Sequence, residues 1–111
     1  MEIINTQLNN CNIVEIAGRI DSYTAPRIKE TLNSLISEGR CNLVIDFQKV
    51  SFISSAGILA FVNAQKKCML NRQGKLVITS IPQLVYSGFA LAGFDQLFEF
   101  YGDSDTAVGS F

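Results

Sequence analysis

The sequence has no histidine and no tryptophan, and only two prolines and three cysteines among its 111 residues. Without histidine there can be no Ser-His-Asp triad, no Cys-His nucleophilic pair and no zinc site of the usual kinds. Cys11, Cys41 and Cys68 are odd in number and widely spaced, with no Cys-x-x-Cys. They are expected as buried, reduced thiols. Without tryptophan, a base-stacking platform would fall to phenylalanine and tyrosine, most of which lie in apolar runs that read as core. The eight glycines stand singly, so there is no Walker or dinucleotide-binding loop. No cofactor or metal is expected. No apolar run reaches the roughly 18 residues of a membrane-spanning helix. The start, Met1-Glu2-Ile3-Ile4-Asn5, has no basic segment and no signal-like apolar stretch, which predicts a cytoplasmic protein. A formal net charge of −1 gives nucleic acid no electrostatic hold. The one basic cluster, Lys66, Lys67, Arg72 and Lys75, falls near a predicted helix C-terminus, where cations suit the helix dipole.

What the chain does have is apolar residues, 48% of the total, enough for one core. The length predicts one domain over residues 1–111. Ile3 to Leu8 and Asn12 to Ala17 alternate around the turn signal Asn9-Asn10 and read as an antiparallel hairpin, ended by Gly18. A loop from Arg19 leads into a helix, with Thr24 placed to cap it and Pro26 in its first turn. Ile28, Leu32, Leu35 and Ile36 form one apolar face, and Gly39 is the stop. Asn42 to Phe47 reads as a buried strand. A helix from Ser55 to Leu70 follows, ended by Asn71-Arg72-Gln73-Gly74. Lys75 to Thr79 is a strand, Gln83 to Ala92 a helix and Gln96 to Phe100 a last strand. Residues 102–111 read as a short polar tail, with a helix start at Asp103 or Ser104 but too little chain for a helix of normal length. The order β-β-α-β-α-β-α-β argues for an α/β fold, a mixed sheet of about five strands with helices packed on it and a core within about 1–101.

Val50-Ser51-Phe52-Ile53-Ser54-Ser55-Ala56-Gly57 is the stretch with a chemical signal. Two adjacent hydroxyls sit at a predicted helix start, where backbone N–H groups are unpaired and the dipole is positive. Such a place caps itself or holds an anion such as phosphate. The helix behind it is apolar over more than one stripe in its first half. Either it is deeply buried, or Ile58 and Phe61 include exposed anchors for a partner. Asp21, Asp46 and Asp95 lie near element ends, as caps and loop anchors do, and have no base or metal partner. No enzymatic motif stands out, and a small-molecule enzyme of flavodoxin-like shape has nothing specific in its favour.

Two spaced segments resemble a family. Gly18-Arg19-Ile20-Asp21-Ser22-Tyr23-Thr24-Ala25 resembles the Gly-x-Leu-Asp-x-x-Thr-Ala segment of STAS-domain proteins, the bacterial anti-sigma factor antagonists. Asp46-Phe47-Gln48-Lys49-Val50-Ser51-Phe52-Ile53-Ser54-Ser55-Ala56-Gly57-Ile58 resembles their phosphorylation segment, typically Val-x-Phe-(Ile/Met)-Asp-Ser-Ser-Gly-Leu. The resemblance implies a STAS domain that acts as a binding switch and not as an enzyme. In such families the serine after the Asp is phosphorylated by a serine/threonine kinase that is itself the anti-sigma factor. The unmodified form binds that kinase and frees the sigma factor, and a metal-dependent serine phosphatase reverses the modification.

By position, Ser55 would be the phosphorylated residue, with Asp21 close by in the adjoining loop. Asp21, Thr24, Ser54, Ser55, Gly57, Ile58 and Phe61 would form the partner-binding set, on a protein that is a monomer when free. Two departures stand out: Ser54 replaces the family's Asp, and Ala56 its second serine. Ser54 keeps the capping role and becomes the alternative phosphate acceptor. The other reading is a STAS protein that docks on a transporter or lipid-trafficking complex without being phosphorylated.

Overall fold

The computed structural model describes residues 1–70 and 74–111. Strands β1 (Glu2–Gln7) and β2 (Asn12–Ile20) form the hairpin. They are followed by α1 (Ala25–Ser37), β3 (Leu43–Ile53), α2 (Ser55–Leu70), β4 (Leu76–Thr79), α3 (Gln83–Leu91), a 3-10 turn (Asp95–Leu97), β5 (Glu99–Tyr101) and α4 (Ser104–Val108). The sheet runs β1-β2-β3-β4-β5. β1 is antiparallel to β2, and every later pair is parallel. The predicted mixed five-stranded sheet and its element order are therefore what the chain adopts. Asn71, Arg72 and Gln73, read as the end of α2 and part of the basic cluster, lie outside the described residues.

Strand alternation sorts side chains onto two faces. Val14, Ile16, Ile45, Phe47 and Ile78 point to one side, where Ile28 and Leu32 of α1, Ile58 and Phe61 of α2, and Phe89 of α3 cover them. Parallel strands joined by helices in sequential order send all three crossovers over the same face. Val44 and Val77 point to the opposite side, where Ala107 of α4 and Cys11 bury them. The segment 102–111 is thus more than a polar tail. The Asp103 carboxylate accepts the Thr106 N–H at 2.7 Å, a cap that starts one short turn and places Ala107 on the sheet.

Two strands run further than the sequence suggested. β3 continues through residues 48–53, because it carries one extra residue opposite Glu15–Ala17 of β2 and another opposite Gly18–Arg19, and the pairing resumes after each. Val50 and Ile53 then point inward at a spacing of three, which hides the strand from an alternation test. Gly18, at φ +107°, is the bent residue inside β2 and not its end. β5 is shorter than read, because residues 95–97 form the 3-10 turn.

Gln65 closes the core's weak point. Its amide donates to the carbonyls of Leu76 and Leu97, both at 3.0 Å, and accepts the Leu76 N–H at 2.7 Å. It stands in for a strand partner where β4 begins. The three cysteines are buried and none is in a disulfide, as expected. Burial, and then the hydrogen bond that its S–H makes to Cys41, push the Cys68 thiol up to about 12, so it stays protonated and unreactive. Among the described residues, no helix is long and apolar enough to cross a membrane.

Candidate functional site

The site lies where β2 and β3 end side by side. Ile20 and Ile53 are paired, and the Ser54 N–H donates to the Ile20 carbonyl at 2.8 Å, carrying the ladder one step beyond the strands. Asp21 and Ser54, which follow those two residues, begin neighbouring loops. The convergence expected of the Asp21 loop and the Ser55 helix start is what the parallel register produces.

The Asp21 loop is tied to itself. The Asp21 carboxylate accepts the N–H groups of Tyr23 at 3.0 Å and Thr24 at 3.1 Å. In return the Thr24 hydroxyl accepts the Asp21 N–H at 2.8 Å and is within 3.0 Å of the Arg19 carbonyl, to which it donates. This is the reciprocal geometry of a capping box. The capping role given to Thr24 therefore belongs to Asp21, and Thr24 makes no side-chain cap bond to α1. The Thr24 backbone bond, followed by that of Tyr23, the Thr24 hydroxyl and the Arg19 charge, holds the Asp21 carboxyl below its usual range.

Ser54 and Ser55 divide two tasks. The Ser54 hydroxyl accepts the Gly57 N–H at 3.3 Å, and its carbonyl accepts the Ile58 N–H at 3.0 Å. Ser54 is the cap and is half-buried. Ser55 is the first residue of α2 and is exposed, as the sequence predicted. Ala56 beside it is exposed as well. Gly57 lets the helix start come down on the strand ends. A Cβ there would lie 2.5 Å from Ile20 Cγ2 and 2.9 Å from Ile53 Cγ1.

The partner face expected on α2 needs correction. Ile58 is 5% exposed and Phe61 is fully buried, its ring 5.1 Å from that of Phe47. Gly57 is buried too. The helix enters the core with 57, 58, 60, 61, 62, 64, 65 and 68 inward, which leaves Ser55, Ala56, Leu59 and Asn63 outward in its first half. Leu59, 47% exposed, is the apolar side chain that the surface presents there. The spacing of Asn63 and Lys66 from Leu59, four and seven residues, was the sequence signal for this outer face. Sequence reasoning also missed Arg19, whose guanidinium stacks 4.3 Å from the centre of the Phe52 ring at the same sheet edge.

The site contains no acid-base pair, and among the described residues no group of three or more Cys, Asp or Glu side chains is placed to hold a metal ion. What it offers is an exposed hydroxyl on the first turn of a 16-residue helix. Free N–H groups and the positive dipole end suit an added anion there.

Residues 2–107 match the family model of the STAS domain. The chain belongs to the STAS domain family. An anti-sigma-B factor antagonist of Listeria monocytogenes is 34% identical over 84 residues, 76% of this chain and 73% of that protein. An anti-sigma factor antagonist from Mycobacterium paratuberculosis superposes with a TM-score of 0.87 at 22% identity, covering 98% of this chain and 92% of that one. The phosphorylated form of the Bacillus cell fate determinant SpoIIAA superposes with a TM-score of 0.78 at 12% identity, covering 98% of each chain. The STAS resemblance carried by residues 18–25 and 46–58 is borne out over nearly the whole chain.

Proposed function

We propose that this STAS domain is an anti-sigma factor antagonist that works in the cytoplasm by binding, with Ser55 as its phosphorylation switch. The observation that carries the reading is the exposed Ser55 hydroxyl at the first position of α2, next to the Asp21 loop. The names of its relatives support an anti-sigma factor as the partner, and the family resemblance implies that this factor is also a serine/threonine kinase. Unmodified, the domain holds that factor and releases the sigma factor. In the modification step, the Ser55 oxygen takes the γ-phosphoryl group of ATP, its proton leaves to solvent and ADP departs. A metal-dependent serine phosphatase returns the hydroxyl.

Ser55 is favoured over Ser54 because the Ser54 oxygen already holds the Gly57 N–H and is half-buried. A phosphate adds about −1.5 to −2 charge at neutral pH, taking the formal net charge from −1 to roughly −3. At an exposed helix N-terminus it fits without unfolding the domain. The switch then acts by local repulsion and steric block.

Incubation with ATP and a histidine-kinase-like anti-sigma ATPase from the same genome, followed by mass spectrometry, tests the assignment. Phosphate on Ser55, absent in Ser55→Ala, is the expected result. Phosphate on Ser54 alone, or none, overturns it. Absence of phosphate together with co-purification of transporter subunits would instead establish the docking reading.

A further inference from the structure

The two edges of the sheet are finished differently. β5 is three residues long, and its Glu99 carboxylate accepts from Lys75 at 3.1 Å and from the Tyr101 hydroxyl at 2.6 Å. β1 is six residues long and pairs with β2 in one unbroken register. It carries none of the devices that ordinarily keep an edge strand from pairing again: no lysine, no proline, no bulge, and a single charge, Glu2, at its first position. Among the described residues, no strand lies on its outer side. Ile4, in the middle of this edge, is 54% exposed. Two bonds at the hairpin end fix which backbone groups face outward. The Leu8 N–H donates to the Cys11 carbonyl at 2.8 Å, while the Asn12 N–H turns away to the Asn42 carbonyl at 2.9 Å. Alternation along an antiparallel ladder then points the N–H and C=O groups of Glu2, Ile4 and Thr6 toward β2, and those of Ile3 and Asn5 outward. At the end of the outward row, the Met1 carbonyl already accepts from Arg27 at 2.9 Å.

We propose that this edge is a self-association surface, on which β1 of a second copy of this chain pairs antiparallel about a two-fold axis through Ile4. Two requirements select the register. Outward backbone groups must meet outward backbone groups, and side chains directly opposite each other must share a face of the sheet. Both are met with Ile3 opposite Asn5 of the second copy, Ile4 opposite Ile4, and Glu2 opposite Thr6. The pairing exchanges roughly four main-chain hydrogen bonds. It brings the two exposed Ile4 side chains together at the closely spaced, non-hydrogen-bonded position, and it sets each Glu2 against a neutral threonine instead of another carboxylate. Axes through Ile3 or Asn5 satisfy the same parity, but each sets Ile4 against a polar side chain, Glu2 or Thr6. The two-fold axis stands normal to the sheet, so β2 and β3 of the two copies run in opposite directions. The two Ser55 sites then open at opposite ends of one continuous sheet, each free to meet its own partner. A contact of one short strand on each side is smaller than a standard interface, so the dimer is weak and forms as concentration rises, in place of the free monomer expected from the sequence.

The test is sedimentation equilibrium of the full chain up to about 1 mM, where a dissociation constant on the order of 100 μM is expected. A chain that stays monomeric throughout overturns the proposal. Ile4→Lys sets two like charges face to face on the axis and should leave only monomer. Thr6→Glu, opposite Glu2, should weaken association about fivefold, and Thr6→Lys, opposite the same carboxylate, should strengthen it, with both effects fading at high salt. Ile4 and Thr6 are exposed, so melting curves of the dilute proteins should match that of the unaltered chain. The Thr6 pair carries the test should Ile4→Lys fail to fold. Leu84→Glu, which alters an 83% exposed leucine on α3, should associate as the unaltered chain does. Association that survives Ile4→Lys overturns the β1 assignment, and a loss in Leu84→Glu alone overturns it and moves the contact to α3. Thr6→Glu and Thr6→Lys acting in the same direction overturns the register. The antagonist reading stands apart from these outcomes, since Ser55 phosphorylation tests it separately.

Discussion

The two ends of the parallel strands are built on opposite principles. Where the strands begin, polar groups are paired with each other. Arg40 donates to the Asn12 side chain at 2.7 Å and to the carbonyls of Leu8 and Cys11 at 2.6 and 3.1 Å. Asn12, fully buried, donates to the Asn5 side chain at 3.0 Å, and Asn42 donates to the Asn10 carbonyl at 3.0 Å. Gln65 closes the same end at β4. Where the strands finish, Ser55, Tyr23, Phe52 and Leu59 face solvent, and residues 50–65 carry no charge. One end spends its hydrogen bonds on itself and holds the fold. The other leaves a hydroxyl and apolar side chains free, as a surface that meets a partner must. In an α/β sheet this is also the end outside the strands' carboxyl termini, where ligands are commonly bound.

The contrast breaks most clearly at Gln65. Gln65→Leu removes the side-chain partner of three backbone groups, two on buried Leu76 and one on partly buried Leu97. It should cost about 3 kcal/mol, since each such group costs about 1–3 kcal/mol. Urea unfolding should show this loss, while the folded fraction still accepts phosphate on Ser55.

Gly57→Ala crosses the boundary between the two ends. Its Cβ must displace Ile20 or Ile53 where the site is assembled. A loss of about 1–3 kcal/mol is expected from overpacking. Unlike Gln65→Leu, it should also shift the amide NMR signals of Asp21 and Ser54 and weaken partner binding. Signals that stay unmoved would show that the site does not depend on this close approach.

The serine pair should then divide stability from switching. Ser54→Ala removes the hydroxyl that caps α2 and should cost about 1 kcal/mol in thermal unfolding, with phosphorylation retained. Ser55→Ala should leave the melting temperature unchanged and abolish phosphorylation. The reverse pattern would exchange their roles.

The smallest effect concerns pH. The Asp21 carboxyl is held below its ordinary value of 3.8, chiefly by the Thr24 backbone bond. A carboxyl depressed in the folded state contributes stability that is present above its unfolded value and lost as pH falls through the folded one. Melting temperatures of the unaltered chain should therefore gain a component that drops below pH 3.8, absent in Asp21→Asn. Parallel curves for the two proteins would remove Asp21 from the acid response.

Much of this was readable locally. Alternation in β1 and β2, the face of Ile28, Leu32 and Leu35, the Gly39 stop and the start of α2 at Ser55 each follow from a residue and its neighbours along the chain. Ser54 as a cap follows from the same local chemistry, and the family resemblance added which hydroxyl to watch. The misreadings share a different cause. Thr24 and Asp21 are both good capping residues, and only the reciprocal bond closed at Asp21 separates their roles. Ile58 and Phe61 were ambiguous because an apolar residue on a helix shows the same composition whether it meets a sheet or a partner.

The sequence by itself determined the order of strands and helices, the apolar face of α1 and the placing of two hydroxyls at a helix start. These rest on backbone preference and hydrophobic period, which act between residues close in the chain. Tertiary structure alone decided the continuation of β3 to Ile53, the burial of Phe61 against Phe47 and the docking of Ala107 on the back of the sheet. Each depends on residues distant in sequence. Burial is set by which surfaces meet, and a helix rotated by one residue about its axis would have exposed Ile58 and hidden Leu59.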